Sequence, residues 1–547
     1  RALWHDPPMD RAPLRTLRVG GLVQGLEESD AEILERARRR VGVALEDTRG
    51  ARIARRSVDA RKRPVQLPVQ VDLVVPEGFR SKALQREERS GRVRSAPLPG
   101  SLQPTSAGGR FAGARVVVVG TGPAGMFAAL PLALGGAQVT VLDRGADLGE
   151  RHRRLVPFHR GGALDPETNL LFGEGGAGTY SDGKLYTRVD HPLEVPILEE
   201  LVAAGAPPEI LFDARAHVGT DRLHTVLPAL RQRLVELGVA FEFGCRLEEL
   251  ELSPSEPGRV TAVRTGQGRL ACDAVVLATG HSARDTWETL ARQGVPFEAK
   301  PFQFGVRIEH PQELITRARY GEPAPEVLGA ASYALTAKAS GAVRGAHSFC
   351  MCPGGRVVAS VHEEGHLCTN GMSNSTHSSR WANSGLVVTL GPADYGGDGP
   401  FAGVAFQRRM ERLAFEAGGG TYAAPAQRAE DFLAGRPSRG ELPTSLVFGA
   451  RAARLDELLP EAVTAALSAA LDRWERVIPG YAGAEGILLG VEARSSGPVR
   501  IPRDRDTLLV DGFSNLQAVG EGAGWAGGIM SAAIDGARAG LALLALP

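Results

Sequence analysis

Cysteine is scarce in this chain. Its 547 residues hold five, Cys245, Cys272, Cys350, Cys352 and Cys368, too few and too scattered for a disulfide scaffold, so a reducing compartment is the simplest expectation. No Cys-x-x-Cys pair occurs, which removes the usual thiol-exchange motif. No apolar run approaches the roughly 18 residues that a membrane helix needs, and the apolar tail near Leu541 is short and follows Asp535 and Arg538. The N-terminal stretch lacks the apolar segment of a secretory signal, although a start at Arg1 rather than Met admits earlier removal of a segment. Internal repeats and low-complexity tracts are absent too. Net charge is also missing, because 63 Lys and Arg balance 63 Asp and Glu. What remains, 43% hydrophobic and 23% charged residues, describes a soluble globular protein, and the length implies two or three domains.

The zero charge conceals an asymmetry. Residues 1–115 carry 23 Lys and Arg against 14 Asp and Glu, and the remainder is correspondingly acidic. The cluster Arg52, Arg55, Arg56, Arg61, Lys62 and Arg63 raises an RNA-directed or acidic-partner role. No aromatic stacking residues interleave it, so a solvated basic surface paired with the acidic remainder is the preferred reading, and nucleic acid is not expected as a partner.

The fold class expected is α/β: a discontinuous Rossmann-like nucleotide-binding domain with an inserted α+β domain and a small N-terminal α+β module. Residues 1–76 form that module in the order β-α-β-β, with Ser29-Asp-Ala-Glu32 as a capping box that opens a helix. Residues 77–113, rich in Arg, Ser, Pro and Gly, read as a linker. Residues 114–300 are the first segment of the nucleotide-binding domain, 301–485 the inserted substrate domain, and 486–547 the returning segment that completes the nucleotide-binding domain. In the insertion Phe302, Phe304, Val306 and Ile308 alternate with Gln303, Gly305, Arg307 and Glu309, predicting a strand with one buried and one polar face. Val463, Leu467, Leu471 and Trp474 mark an amphipathic helix ended by Pro479-Gly480.

The most informative stretch is Val116-Val-Val-Val-Gly120-Thr-Gly122-Pro123-Ala124-Gly125. A valine run suits a strand buried on both faces; Gly120 allows the turn, Gly122 the approach of a pyrophosphate, and Gly125 close helix packing. The helix beginning at Pro123 and Ala124 directs its N-terminus at the phosphates. A second strand ends at Asp143, beside Arg144, where a carboxylate accepts hydrogen bonds from a ribose. The partner of this fingerprint comes late, at Ala518-Val-Gly520-Glu521-Gly522. A nicotinamide domain completes itself in one stretch, whereas a return near residue 520 closes over a flavin, so FAD is the cofactor expected. Glu521 is then the acid at the ribityl chain, and Gly527, Gly528 and Ile529 open a helix aimed at the flavin pyrimidine edge. This arrangement resembles the glutathione-reductase-type FAD fold.

The likeness narrows with Ser57-Val-Asp-Ala-Arg61, Gly173-Glu-Gly-Gly-Ala-Gly-Thr-Tyr-Ser-Asp-Gly-Lys184, Gly280-His-Ser-Ala-Arg-Asp285, Ser348-Phe-Cys-Met-Cys-Pro-Gly-Gly355 and Gly520-Glu-Gly-Ala-Gly-Trp-Ala-Gly-Gly-Ile529. From about residue 50 onward the chain resembles the uncharacterised FAD-dependent dehydrogenases of bacteria, which have plastid relatives in plants. The resemblance implies a flavin-contacting loop of Gly175, Gly176, Ala177, Gly178, Thr179 and Ser181. Ala278, Thr279 and Gly280 are expected on the adenine side, with the Leu247 backbone at the adenine edge. It implies a cytoplasmic location for a bacterial protein and the plastid stroma for one from a photosynthetic eukaryote. A departure lies at Leu442 to Ala453, where Leu-Pro-Thr-Ser-Leu-Val-Phe replaces an expected Ser-Val-Glu-Pro-type segment, and no function is carried onto that loop.

Catalytic groups are much less legible. His281 follows the Ala-Thr-Gly turn, with a packed or capping histidine as the competing reading. Arg307 suits a carboxylate substrate, against a solvated pair with Glu309. Cys350 and Cys352 invite redox chemistry, against a buried pair of small apolar residues. His362 and His366 flank Glu363 and Glu364, but Gly365 and the flavin context argue against a metal, and none is expected. The expected function is hydride transfer between a small organic substrate and flavin N5. No second strand-GxGxxG-helix unit exists, so NAD(P)H or another electron partner binds only transiently. The alternatives are an NAD(P)H-dependent flavin monooxygenase and an RNA-directed or interaction flavoprotein. The oligomeric state is unassigned.

Overall fold

Five short strands from segments as distant as residues 115 and 518 make one parallel sheet in this computed structural model, which describes residues 13–546 apart from 61–64, 97–98, 105–110, 112, 188, 190, 323 and 325–327. Their order is Leu516–Ala518, Ala274–Leu277, Arg115–Val119, Gln138–Leu142, Ala240–Glu242, with every neighbour parallel. Val116 and Val118 face helices Pro123–Leu134 and Ile529–Ala545. Val117 and Val119 face a three-stranded antiparallel sheet spanning 247–271 and the helix Arg284–Arg292. Both faces are covered, which is why an unbroken valine run is stable there. The two helices approach to backbone contact: a Cβ on Gly536 would overlap the Ala124 carbonyl, and one on Gly540 would meet the Ala128 carbonyl.

The inserted domain is built on a seven-stranded sheet ordered Thr336–Ala337, Ala346–Cys352, Trp381–Leu390, Phe302–Pro311, Ile487–Glu492, Ala424–Arg428, Ala450–Ala452. The strand Phe302–Pro311 therefore lies in the middle, and its polar face is largely buried. Arg307 and Glu309 are both 0% exposed, because polar side chains from neighbouring strands and a loop meet them. The boundary at 485 also moves, since Ile487–Glu492 pairs with Phe302–Pro311 and Ala424–Arg428 and so belongs to the inserted sheet. The amphipathic helix is Glu461–Glu475, with Val463, Leu467, Leu471 and Trp474 buried.

The N-terminal sheet has the order Gly50–Arg56, Leu67–Pro76, Leu14–Gln24, Val93–Ser95. Ser29 and Glu32 form the capping box on helix Asp30–Val41. The stretch read as a linker supplies the fourth strand, Val93–Ser95, and a helix, Lys82–Arg89, capped by Ser81 and anchored through Leu84. Its Arg and Glu content masks the one apolar side that the short helix needs. Several arginines of the module are neutralised within it: Arg18 and Arg52 bind Asp72, and Arg40 and Arg92 bind Glu87. Arg61, Lys62 and Arg63 lie outside the described residues. No helix among the described residues is long and apolar enough to cross a membrane.

Candidate functional site

A cavity of about 940 Å³ lies between the parallel sheet and the inserted domain. On the nucleotide side it is lined by Gly120, Gly122, Pro123, Ala124, the loop Gly176, Ala177, Gly178 and Ser181, then Leu247, Ala278, Thr279, Gly280, Gly520, Glu521, Gly527, Gly528 and Ile529. These residues converge from separated segments of the chain. Gly120 has φ +114 and a Cβ there would strike the Ala278 carbonyl, so only glycine makes this turn. Helices Pro123–Leu134 and Ile529–Ala545 both start at glycines, Gly122 and Gly528, with no side-chain cap, and no atom lies within 4 Å of where a Cβ would stand on either. Two helix N-termini thus present uncapped N–H groups and positive dipole ends to one cavity, as a dinucleotide with an anionic pyrophosphate requires. The residues present fit FAD.

Five expected site residues stand outside the wall. Gly125 works one layer back, where a Cβ would overlap the Gly120 carbonyl, in keeping with helix packing. Gly175, at φ +80, turns the loop, and its N–H donates to the Thr121 carbonyl at 3.1 Å. Thr179 is 1% exposed; its hydroxyl donates to the Glu174 carbonyl at 2.9 Å and accepts from Arg151 at 3.2 Å. Arg307 and Cys352 are buried beneath the surface of the inserted domain.

Asp143 lines the cavity but differs from the open ribose acceptor expected. Its Oδ2 accepts from the Thr121 N–H at 3.0 Å and from the Thr121 hydroxyl, and its Oδ1 accepts from Gly145 N–H at 2.9 Å and Gly173 N–H at 3.1 Å. Four donors fill about the whole capacity of a carboxylate, so Asp143 braces the phosphate loop against the Gly173 loop. Arg144 stands in the wall with its guanidinium on Glu167 at 2.7 Å and Asp285 at 2.8 Å, stacked 4.2 Å from the centre of the Phe172 ring.

The titratable groups are strongly perturbed. Burial pushes the Glu521 carboxyl up to about 7, against the pull of the Lys300 ammonium. Burial also lowers Lys300, partly opposed by Glu521. His281 lines the cavity, and burial followed by the Arg494 and Arg284 cations brings it down to about 4, so the imidazole is neutral at pH 7. Behind it, Glu411 is clasped by Arg284 at 2.7 Å and Arg494 at 2.7 Å. Burial raises this carboxyl, yet the two guanidiniums overcome it and hold it well below the usual carboxylate range.

Arg307 reaches no solvent: Nε donates to Glu492 at 3.0 Å and the two Nη atoms to Asn383 at 2.7 Å and Asn370 at 3.1 Å. Glu309 accepts from the Ser445 N–H at 2.9 Å and from its hydroxyl, so the divergent loop at 442–453 has a structural task. His362 contacts Arg494 at 2.6 Å, His366 the Glu364 carbonyl at 2.9 Å, and Glu363 pairs with Arg284 and Arg408. Cys350 does face the cavity. So do Lys184, Lys300, Gln303, Ser348 and Asn370, to which the sequence alone assigns no role. Only Lys184 carries a signal, as the one cation in the glycine-rich stretch 173–184.

Comparison with known proteins points to the same cofactor. The family model described as "FAD-dependent protein, C-terminal domain-like" matches residues 301–495, that of "FAD dependent oxidoreductase" matches 198–363, and a domain of unknown function matches 21–74. A Clostridium beijerinckii chain called "Uncharacterized protein" is 41% identical over 530 residues, covering 95% of this chain and 97% of its own. Among solved structures, the glycerol-3-phosphate dehydrogenase of Bacillus halodurans complexed with FAD is 13% identical, with a TM-score of 0.34 over 78% of this chain and 65% of that one. Glycine oxidase of Bacillus cereus is 10% identical, with a TM-score of 0.30 over 78% and 94%. Scores of that size carry no argument about this chain. The near full-length relative and the matched models do: the chain belongs to the family of uncharacterised FAD-dependent dehydrogenases, and its cofactor is FAD.

Proposed function

We propose that this FAD-dependent oxidoreductase passes a hydride between a small organic substrate and flavin N5, with the substrate seated against the inserted domain. The observation that carries the reading is the single cavity that joins the glycine-walled nucleotide side to Lys300, Gln303, Ser348, Cys350 and Asn370. FAD, when bound, supplies a ring that takes up or returns a hydride. The chain's own contribution is to hold that cofactor and to manage charge and protons. The helix starts at Pro123 and Ile529 would hold it through backbone N–H groups, with Glu521 near the join. A carboxyl near pH 7 is suited to holding or releasing one proton, and neutral His281 offers a hydrogen bond without adding charge.

The test begins with the purified protein and identification of its chromophore. Under anaerobic conditions a reduced metabolite, or NAD(P)H as a transient donor, is expected to bleach the flavin absorbance, and an oxidised partner to restore it. NADPH oxidation that consumes oxygen and yields a hydroxylated product would replace this reading with a monooxygenase. A flavin that no reductant bleaches would end both.

A further inference from the structure

The cysteine pair stands in an unusual setting that hydride transfer does not use. Strand Ala346–Cys352 loses register against Trp381–Leu390 between Phe349 and Cys352, and Cys350 sits at φ +45. A left-handed non-glycine residue is strained and recurs at functional positions. The kink interrupts a regular strand, whose rise of about 3.3 Å per residue would otherwise hold residues 350 and 352 well apart. Both sulfurs are 3.9 Å from one ammonium, Lys184 Nζ, which also donates to the Met351 carbonyl and pairs with Asp182 at 2.9 Å. The two thiols are not equivalent. Cys350 lines the FAD cavity beside Ser348 and Asn370, whereas Cys352 is 0% exposed behind it.

We propose that Cys350 and Cys352 are a redox-active dithiol that reduces a low-molecular-weight disulfide in this cavity, with Cys350 attacking, Cys352 resolving and Lys184 as the positioning cation. A carbon electrophile would need only Cys350; a second sulfur at the same ammonium, shielded from the cavity, is what a mixed disulfide requires for its release. In the first step the Cys350 thiolate forms a bond to one sulfur of the disulfide and expels the other as a thiolate. In the second, Cys352 gives its proton to that thiolate and its sulfur bonds to Cys350, expelling the remaining half as a thiolate. The small disulfide gains two electrons and leaves as one thiol and one thiolate; the protein loses two and keeps a Cys350–Cys352 disulfide. The Cys350–Cys352 disulfide would be restored to thiolate and thiol by two electrons and one proton, which FAD would supply when bound and reduced, a step that rests on the oxidoreductase reading above.

The electrostatics agree. A hydrogen bond from Cys352 lowers the Cys350 thiol, and with the Lys184 and Arg307 cations it overcomes burial and the opposing charge of Asp182. Cys352 moves the other way, raised by that same pairing and by burial. Glu492, Tyr186 and Glu521 complete the ionisable surroundings of Cys350. Attack from the lower thiol and resolution by the higher one is the order that such a split favours.

The probe is hydroxyethyl disulfide, applied to the FAD-loaded protein with intact-mass and peptide-mass readout. Wild type is expected to end two hydrogens lighter with 350 linked to 352, Cys352→Ser to retain the probe on Cys350, and Cys350→Ser to do neither. Iodoacetamide alkylation of wild type should titrate well below the ordinary thiol value of about 8.5, and Lys184→Gln should slow it at pH 6 by roughly tenfold. No mixed disulfide in Cys352→Ser, or an ordinary alkylation midpoint in wild type, overturns the proposal. Anaerobic photoreduction of FAD in the oxidised protein should return two alkylatable thiols; failure to do so overturns the link to FAD. The two readings fail separately: if thiol chemistry appears but no donor bleaches FAD, only the hydride reading falls, and if FAD bleaches but no mixed disulfide forms, only the dithiol falls.

Discussion

On its nucleotide side the cavity is glycine-rich, with Gly120, Gly122, Gly176, Gly520 and Gly528 exposing peptide groups between side chains such as Arg144, Leu247 and Ile529. On the inserted side it is walled by functional groups, Gln303, Ser348, Cys350, Asn370 and Arg494, supported by buried ion pairs, Arg307–Glu492 within the sheet and Arg284–Glu411 between two helices. A glycine-rich wall recognises what every FAD has in common, a pyrophosphate and its attached chain. A side-chain wall defines what is particular, and it depends on charges buried at considerable desolvation cost. Disturbing the first should act on cofactor retention, and disturbing the second on fold stability and reactivity.

The largest effect is expected on the side-chain wall. Removing the carboxylate in Glu411→Ala leaves Arg284 and Arg494 buried without their shared partner, and denaturant unfolding should show a loss of about 3–5 kcal/mol. A loss below about 1 kcal/mol would mean that this wall is no more charge-dependent than a protein surface. Next, Gly536→Leu drives a side chain into the Ala124 backbone and should cost about 2–3 kcal/mol, with a reduced flavin-to-protein absorbance ratio. Full FAD occupancy in that variant would break the proposed link between helix packing and cofactor retention.

A comparable effect comes from Glu521, whose folded carboxyl is raised to about 7, above the unfolded value of about 4.3. Between those values the folded chain holds the proton more tightly. That stabilisation is complete below about pH 4.3 and is lost as pH rises through about 7. The FAD-free protein should therefore lose on the order of 2–3 kcal/mol between pH 5 and pH 8, and Glu521→Gln should flatten that slope in paired melting curves. Glu521→Ala should also weaken flavin retention, measured by filtration after dilution. The smallest effect is Ser29→Ala, which removes a helix cap in the N-terminal module and should cost about 1 kcal/mol with FAD occupancy unchanged.

Legibility in the sequence follows the same division. Gly120, Gly122 and Gly520 are readable because the requirement they meet is local: a turn, a close approach, a helix start. The run Val116–Val119 and the capping box at Ser29 are readable for similar reasons. Arg307 is not, because its partners Glu492, Asn383 and Asn370 come from other strands, and alternation alone cannot distinguish an edge strand from a central one covered on both faces. For Asp143 the spacing indicates the right place but the wrong partners, since four donors already meet it. Lys184 stands out in its glycine-rich stretch, but its pairing with two sulfurs escapes a sequence reading because they lie far along the chain, on a strand whose kink has no sequence signature.

The parallel pairing of Leu516–Ala518 with Ala274–Leu277 also imposes a timetable. A ribosome has made the whole inserted domain, with its own sheet and core, before it makes the strand that closes the FAD sheet. The long connection must be drawn together after most of the chain already exists, and closures of that span are slow. Until then the edge of Ala274–Leu277 stands unpaired, a template for wrong partners. A supply of FAD at the time of synthesis should therefore favour the yield of correctly assembled protein by capturing the closed sheet as it forms.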